Sequence, residues 1–191
     1  DPARAVLRFG GGQRFVGEYL SSEVLSSADD DRRSFLCGAA VLGRFTPQLC
    51  DVVLDRTDSA EVLAELERAN FFIVRLERGG WFRIHSMFAE YARAELALAE
   101  PEAEARIHRR AAEWLRSRGL AADAIEHAAA AGDHELVAQL LVEHHLSLIR
   151  TGAGRTFIRW ARALPDDCIV RHPELAVAAA ISAVLVGQGA I

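Results

Sequence analysis

The 191-residue chain is half apolar and 26% charged, a composition typical of a globular protein of one domain or two small ones. Its formal net charge of −5 argues against nucleic acid as the main partner, because nucleic-acid binders are more often basic. All 22 basic residues are arginine. Without a lysine the sequence contains neither a P-loop nor a Schiff-base lysine, so we expect no enzyme activity of either kind from these residues.

The three cysteines, Cys37, Cys50 and Cys168, are widely spaced and form no CxxC motif. The sequence therefore predicts no metal site. Cys37 and Cys50 lie in apolar stretches and are expected in the core, and the odd count indicates reduced thiols in a cytoplasmic protein. No signal peptide and no charge-free apolar run of about 18 residues or more is found, so no membrane partner is expected.

Residues 1–28 are predicted to form a linker and a lid helix. Gly10, Gly11 and Gly12 interrupt any regular pattern near the start. Apolar residues such as Val16 and Val24 then recur at helical spacing, which predicts a helix over residues 14–27. Because the chain begins with Asp-Pro and not with methionine, we expect it to be a fragment of a longer protein.

Residues 29–98 have the pattern of a winged-helix domain: three helices, a two-stranded hairpin and a closing helix. Asp29 and Thr46 are expected N-caps, and residues 58–61 read as a capping box. The β-type runs 71–76 and 81–84 flank a glycine turn. Helical spacing predicts buried stripes in the last two helices: Val62, Leu66 and Ala69, then Met87, Tyr91, Ala94 and Leu98.

Residues 99–191 are predicted to be helices separated by glycine or proline, starting after Pro101. The predicted breaks fall at Gly119, Gly132, Gly152 and Pro165, and Pro173 is expected to begin the last helix. Successive short helices of this kind indicate a solenoid. The predicted fold class is therefore mostly α: a winged-helix domain with a small β-hairpin, followed by a TPR-like helical-hairpin solenoid.

The sequence contains no convincing catalytic constellation. Its seven histidines include no HxxxH or HExxH pair, and no GxSxG elbow occurs. His85 stands apart because it lies where a predicted strand runs into a helix. At such a junction a histidine either caps or packs, or it points a ring nitrogen at an anion, and the residues alone leave both readings open.

A winged helix often binds DNA through the helix that precedes the hairpin. Here that helix carries Glu61, Glu65 and Glu67 against a single arginine, Arg68. Three carboxylates would repel the phosphate backbone. A self-standing DNA-binding protein is therefore the weaker alternative.

Five stretches carry a resemblance to a known family, and together they span about residues 14–175: RSFLCGAAVLGRFTPQLCDVVL, VLAELERANFFIVRL, WFRIHSMFAEYAR, IHRRAAEWLRSRGLAADAIEHAAAAGD and FIRWARALP. In this order they resemble MalT/LuxR-type regulators, which belong to the STAND class of signal-transduction ATPases. The resemblance implies a winged-helix domain over residues 29–98. It also implies that residues 99–191 are a helical arm and the start of a TPR-like sensor solenoid.

The resemblance further implies that His85 contacts the β-phosphate of ADP held by an upstream nucleotide-binding domain. This chain lacks that domain, so His85 would act in trans, with no cofactor in the fragment and ADP or ATP in the parent. An inducer or regulatory protein would bind the solenoid, and DNA would be bound only through a missing C-terminal domain. We therefore expect a non-enzymatic regulatory fragment that couples nucleotide state to effector binding. A protein-binding helical scaffold is the main alternative.

Overall fold

The computed structural model describes residues 29–69, 71–76 and 79–185, so the predicted helix over residues 14–27 lies outside the described part. The chain divides into two compact units, residues 1–107 and 108–191. The first unit contains α1 (Asp30–Val41), α2 (Pro47–Leu54), α3 (Ser59–Arg68), β1 (Ile73–Arg75), β2 (Phe82–Ile84) and α4 (Ser86–Ala99). Helix α5 (Ala103–Ser117) crosses the division, and α6 (Ala121–Ala130), α7 (His134–Arg150), α8 (Gly154–Arg162), α9 (Asp166–Arg171) and α10 (Pro173–Leu185) follow it.

This arrangement confirms the predicted fold class at the level of a mostly helical chain with one small hairpin. Helices α1 to α3, the hairpin and α4 have the order of a winged helix, and up to residue 185 only helices follow. Among the described helices, none is both long and apolar enough to cross a lipid bilayer.

The first two helices begin as their sequences predict. The Asp29 carboxylate accepts a hydrogen bond from the backbone N–H of Arg32 at 2.8 Å. The Thr46 hydroxyl oxygen accepts one from the N–H of Leu49 at 3.2 Å, with Pro47 at the first helical position. Each cap satisfies an N–H group that has no partner inside the helix.

The capping box predicted at Asp58 is wrong. Asp58 precedes α3, but its carboxylate makes no capping bond. It instead accepts from the Arg56 guanidinium, with Nε at 2.7 Å from Oδ1. Asp51 on α2, eight residues before Ser59, takes over the capping role by accepting from the N–H of Ser59 at 3.0 Å.

The hairpin is antiparallel and shorter than predicted, with Ile73 opposite Ile84 and Arg75 opposite Phe82. Phe72 has a φ of +46°, a left-handed conformation that keeps residues 71 and 72 out of the strand. A bridge that the sequence did not reveal links Phe45 to Phe82 through backbone bonds of 2.9 and 2.7 Å. These bonds attach the hairpin to the segment between α1 and α2.

The predicted buried stripe of α4 is displaced by one residue. Phe88 and Ala92 are buried, whereas the side chains at Met87 and Leu98 are 38% and 81% exposed. The Phe88 ring stacks on Phe72 with centroids 5.0 Å apart, and α4 packs against α1. In α3, likewise, Leu63 joins the buried face while Ala69 is exposed, contrary to the predicted stripe.

In the second unit, α7 packs against α6 and α8, and α10 packs against α8. Its buried apolar residues include Ile125, Ala128, Val137, Leu140, Leu141, Phe157, Trp160 and Leu175. Pro165 does not simply end α8, because it is also the N-cap of α9, a six-residue helix that was not predicted from the sequence. Helix α10 exposes Val177 and Val184 to 61% and 70%, as expected for a helix that is apolar on most sides.

Candidate functional site

The backbone of His85 is held on both sides at the point where β2 meets α4. Its N–H donates to the carbonyl oxygen of Phe72 at 2.8 Å, and its carbonyl oxygen accepts from the N–H of Ala89 at 2.9 Å. His85 is the N-cap of α4, yet its side chain makes no capping bond. The imidazole is exposed. The ring therefore stands on a fixed backbone without being used to cap the helix.

The surroundings of His85 suit an anion. The first N–H groups of α4 have no partner inside the helix and lie at the positive end of its dipole. The first turn of α4 contains no acidic residue. Buried Phe88 anchors this turn on Phe72. A phosphate placed here would meet backbone N–H groups and an imidazole together.

Arg83 adds a positive group on the same side of the hairpin as His85. Phe82 and Ile84 are buried, whereas Arg83 and His85 are exposed, as the alternation of a strand requires. Within the described residues the structure gives the Arg83 guanidinium no hydrogen bond or ion pair. Arg83 was not predicted as a site residue, although the buried-exposed alternation in residues 82–85 was a usable signal.

Helix α3 exposes carboxylates where a DNA-reading helix would expose basic side chains. Glu61 and Glu65 are exposed. Glu65 is paired with Arg32 at 2.6 Å, and Glu67 with Arg75 at 2.7 Å. The arginines near this helix are thus partly neutralised by its own carboxylates, which weakens the case for phosphate binding there.

The fold brings together a histidine pair that sequence spacing did not connect. The Nδ1 atoms of His108 on α5 and His127 on α6 lie 2.7 Å apart. The pKa of His127 is lowered to about 4. Burial is the larger cause and the neighbouring His108 the smaller, while Asp123 acts in the opposite direction. At neutral pH His127 is therefore uncharged, and one ring donates a hydrogen bond to the other.

A second cluster lies between α7 and α9. Ligand atoms of Glu135, Cys168 and His172 all lie within 4.8 Å of one another. His172 Nε2 is 2.6 Å from Glu135 Oε1. No sequence motif contains this cluster, because Glu135 is distant in sequence from Cys168 and His172. The four-residue spacing of Cys168 and His172 was the available signal.

The structure defines this chain as a protein with a winged-helix unit followed by packed helices. Residues 21–105 match the family model described as the MalT winged helix domain, and this segment belongs to that family. The chain is 35% identical over 167 residues to proteins named HTH-type transcriptional regulator MalT from Yersinia enterocolitica, Yersinia pestis and Yersinia pseudotuberculosis.

By these matches the chain is similar to a segment of the proteins named MalT. They cover 85% of this chain and 18% of each of the three relatives. The chain thus spans less than a fifth of the length of the curated relatives that it matches.

Proposed function

We propose that this chain is the regulatory segment of a MalT-type regulator of the STAND class, within the LuxR-type proteins. In that proposal the winged helix senses the nucleotide state of an upstream nucleotide-binding domain and passes it to the helical sensor. The observation that carries the proposal is the exposed, uncapping imidazole of His85 on a fixed backbone at the start of α4. The relation to MalT supplies the context in which such a group has a use.

His85 would act as a latch on ADP. The ring N–H would donate to a phosphate oxygen, and the N–H groups of the first turn of α4 would add their dipole. Arg83 would contribute a positive charge from the same side of the hairpin. ADP bound by the upstream domain would then hold the winged helix in a resting position. Replacement of ADP by ATP would release it and shift the population towards an active arrangement.

The helical segment would supply the effector side of the switch. We propose that residues 99–191 form a helical arm and the beginning of a TPR-like sensor, which binds an inducer or a regulatory protein. DNA would be bound only through a separate C-terminal domain, since α3 is acidic and partly paired. The fragment itself would catalyse no reaction and work in the cytoplasm, with ADP or ATP bound by the parent protein.

The test uses the longest natural chain that contains this segment, purified without added nucleotide. Released ADP is quantified after denaturation for the parent, for His85→Ala and for the control His134→Ala. His134 is a matched control because it is also an exposed histidine at the start of a helix. Abundant ADP in the parent and the control, with little in His85→Ala, is the expected result. Equal ADP in all three chains would remove His85 from the nucleotide site.

A protein-binding scaffold is the second candidate, and α10 favours it. Val177, Ile181 and Val184 are 61%, 44% and 70% exposed on this helix. Apolar side chains grouped in this way can mark a binding surface. If the natural parent chain carries no P-loop and retains no ADP, this candidate replaces the nucleotide latch.

A further inference from the structure

We propose that Glu135, Cys168 and His172 form a binding site for one divalent transition-metal ion of the zinc class. The site lies wholly within the second unit and is independent of the nucleotide latch. Glu135 is in the first turn of α7, Cys168 is on α9, and His172 is the C-cap of α9. Cys168 and His172 are four residues apart, so the helix places both on one side, facing Glu135.

The spacing of the three side chains is close to what an ion requires. Zinc lies about 2.3 Å from sulfur and about 2.0–2.2 Å from nitrogen or oxygen, so ligand atoms around one ion are roughly 3.3–3.8 Å apart. The three ligand atoms here lie within 4.8 Å of one another, and His172 Nε2 is 2.6 Å from Glu135 Oε1. Side-chain rotations alone can bring the three ligand atoms to the distances that one ion requires. The ion would then replace the proton shared by the His172 ring and the Glu135 carboxylate.

The surrounding residues already orient two of the ligands. Glu174 Oε1 is 3.4 Å from His172 Nδ1, on the side of the ring away from Glu135. Histidine ligands characteristically donate their second N–H to such a carboxylate, which fixes the ring and strengthens its other nitrogen as a ligand. Arg171 Nε lies 3.5 Å from Glu135 Oε2 and leaves Oε1 facing the ring. The Gln139 amide, 3.3 Å from Oε1, completes the support of the carboxylate.

The types of donor select the kind of ion. A thiolate, an imidazole and a carboxylate suit zinc or cobalt, whereas calcium and magnesium prefer sites made entirely of oxygen. The Cys168 thiol is fully buried and donates a long 3.5 Å bond to the carbonyl oxygen of His134. An ion would displace that proton, which leaves to solvent, and the bond would be exchanged for a metal–sulfur bond. Three protein ligands leave a fourth position for water.

The charges nearby permit a cation. Arg171 opposes it, but this guanidinium is shared between Asp167 at 2.7 Å and Glu135 at 3.5 Å. The carboxylates of Glu135, Asp167 and Glu174, together with the thiolate formed on binding, outweigh that single positive charge. Binding would join the start of α7 to the end of α9 and the start of α10.

The test uses the 191-residue chain, reduced and freed of metal. Cobalt(II) is added as an optical probe, because a thiolate ligand produces a sulfur-to-cobalt charge-transfer band. The variants are Cys168→Ser and His172→Gln, and the matched control is Cys37→Ser, which alters a buried cysteine in the other unit. Circular dichroism confirms that each variant is folded.

The proposal predicts one cobalt ion per chain, with the charge-transfer band present in the parent and in Cys37→Ser and absent in Cys168→Ser. Zinc should displace the cobalt and raise the melting temperature of the parent but not of His172→Gln. Glu174→Ala should keep the band and bind zinc about tenfold more weakly or worse. Absence of a band in the parent, or its persistence in folded Cys168→Ser, would overturn the proposal and leave a hydrogen-bonded network only.

Discussion

The half-buried histidine pair His108 and His127 predicts that mild acid weakens the second unit. In the folded chain the pKa of His127 is lowered from 6.5 to about 4 by burial and by His108. An unfolded chain restores the ordinary value. Between these two values the unfolded state binds a proton that the folded state does not. The stability is therefore fully present above pH 6.5 and falls as the pH drops towards 4.

The size of the effect follows from the two pKa values. One pKa unit corresponds to about 1.4 kcal/mol. A shift of this size therefore lowers the free energy of unfolding by up to about 3 kcal/mol once the pH is below both pKa values. At about pH 5 the expected loss, relative to about pH 7.5, is roughly 2 kcal/mol. In a domain with a total stability of about 5–15 kcal/mol, such a loss is readily measured.

The assay is urea unfolding at about pH 7.5 and about pH 5, followed by tryptophan fluorescence, which Trp114 and Trp160 report from the second unit. Other groups titrate over this range, so the quantity of interest is the difference between the parent and His127→Asn. The variant should lose roughly 2 kcal/mol less than the parent between the two pH values. His134→Asn, which alters an exposed histidine, should behave like the parent. An equal acid loss in the parent and His127→Asn would refute the assignment of a neutral, half-buried His127.

Two further predictions concern the first unit. Phe88→Ala should lower the free energy of unfolding by about 3–5 kcal/mol, because a 1% exposed ring stacked on Phe72 is removed. Met87→Ala should cost no more than about 1 kcal/mol. A larger loss for Met87→Ala than for Phe88→Ala in denaturant titrations would favour the buried face predicted from the sequence, which begins at Met87. Asp51→Ala should cost about 1 kcal/mol and Asp51→Asn much less, because only the first removes the acceptor for the Ser59 N–H. Equal losses in thermal unfolding would mean that this bond does not cap α3.

Local signals predicted the parts of the fold that depend on neighbouring residues. Asp29 and Thr46 cap their helices because the N–H groups that they satisfy lie three residues away. The capping box at Asp58 failed because Arg56, two residues earlier, competes for its carboxylate. The replacement cap comes from Asp51 on the preceding helix, which no local pattern could indicate.

Packing determines which face of α4 is buried, because helical periodicity alone fits two sets of residues. In α4 the set that begins at Met87 and the set that begins at Phe88 both fit a helical repeat. The left-handed turn at Phe72 selects the second set by placing a ring against Phe88. The junction at His85 was predictable because a strand ending in a helix leaves a signal in sequence. The cluster around Glu135 and Cys168 was not, since it exists only once α9 packs on α7.

The most direct test of the nucleotide latch is the dissociation constant of ADP, measured by calorimetry on the longest natural chain that contains this segment. A hydrogen bond to a charged phosphate contributes about 1.5–3 kcal/mol, so His85→Ala should weaken ADP binding by roughly 10- to 100-fold. The control His134→Ala should bind ADP as the parent does. An unchanged dissociation constant in a folded His85→Ala chain would contradict the account and show that this histidine does not hold the nucleotide.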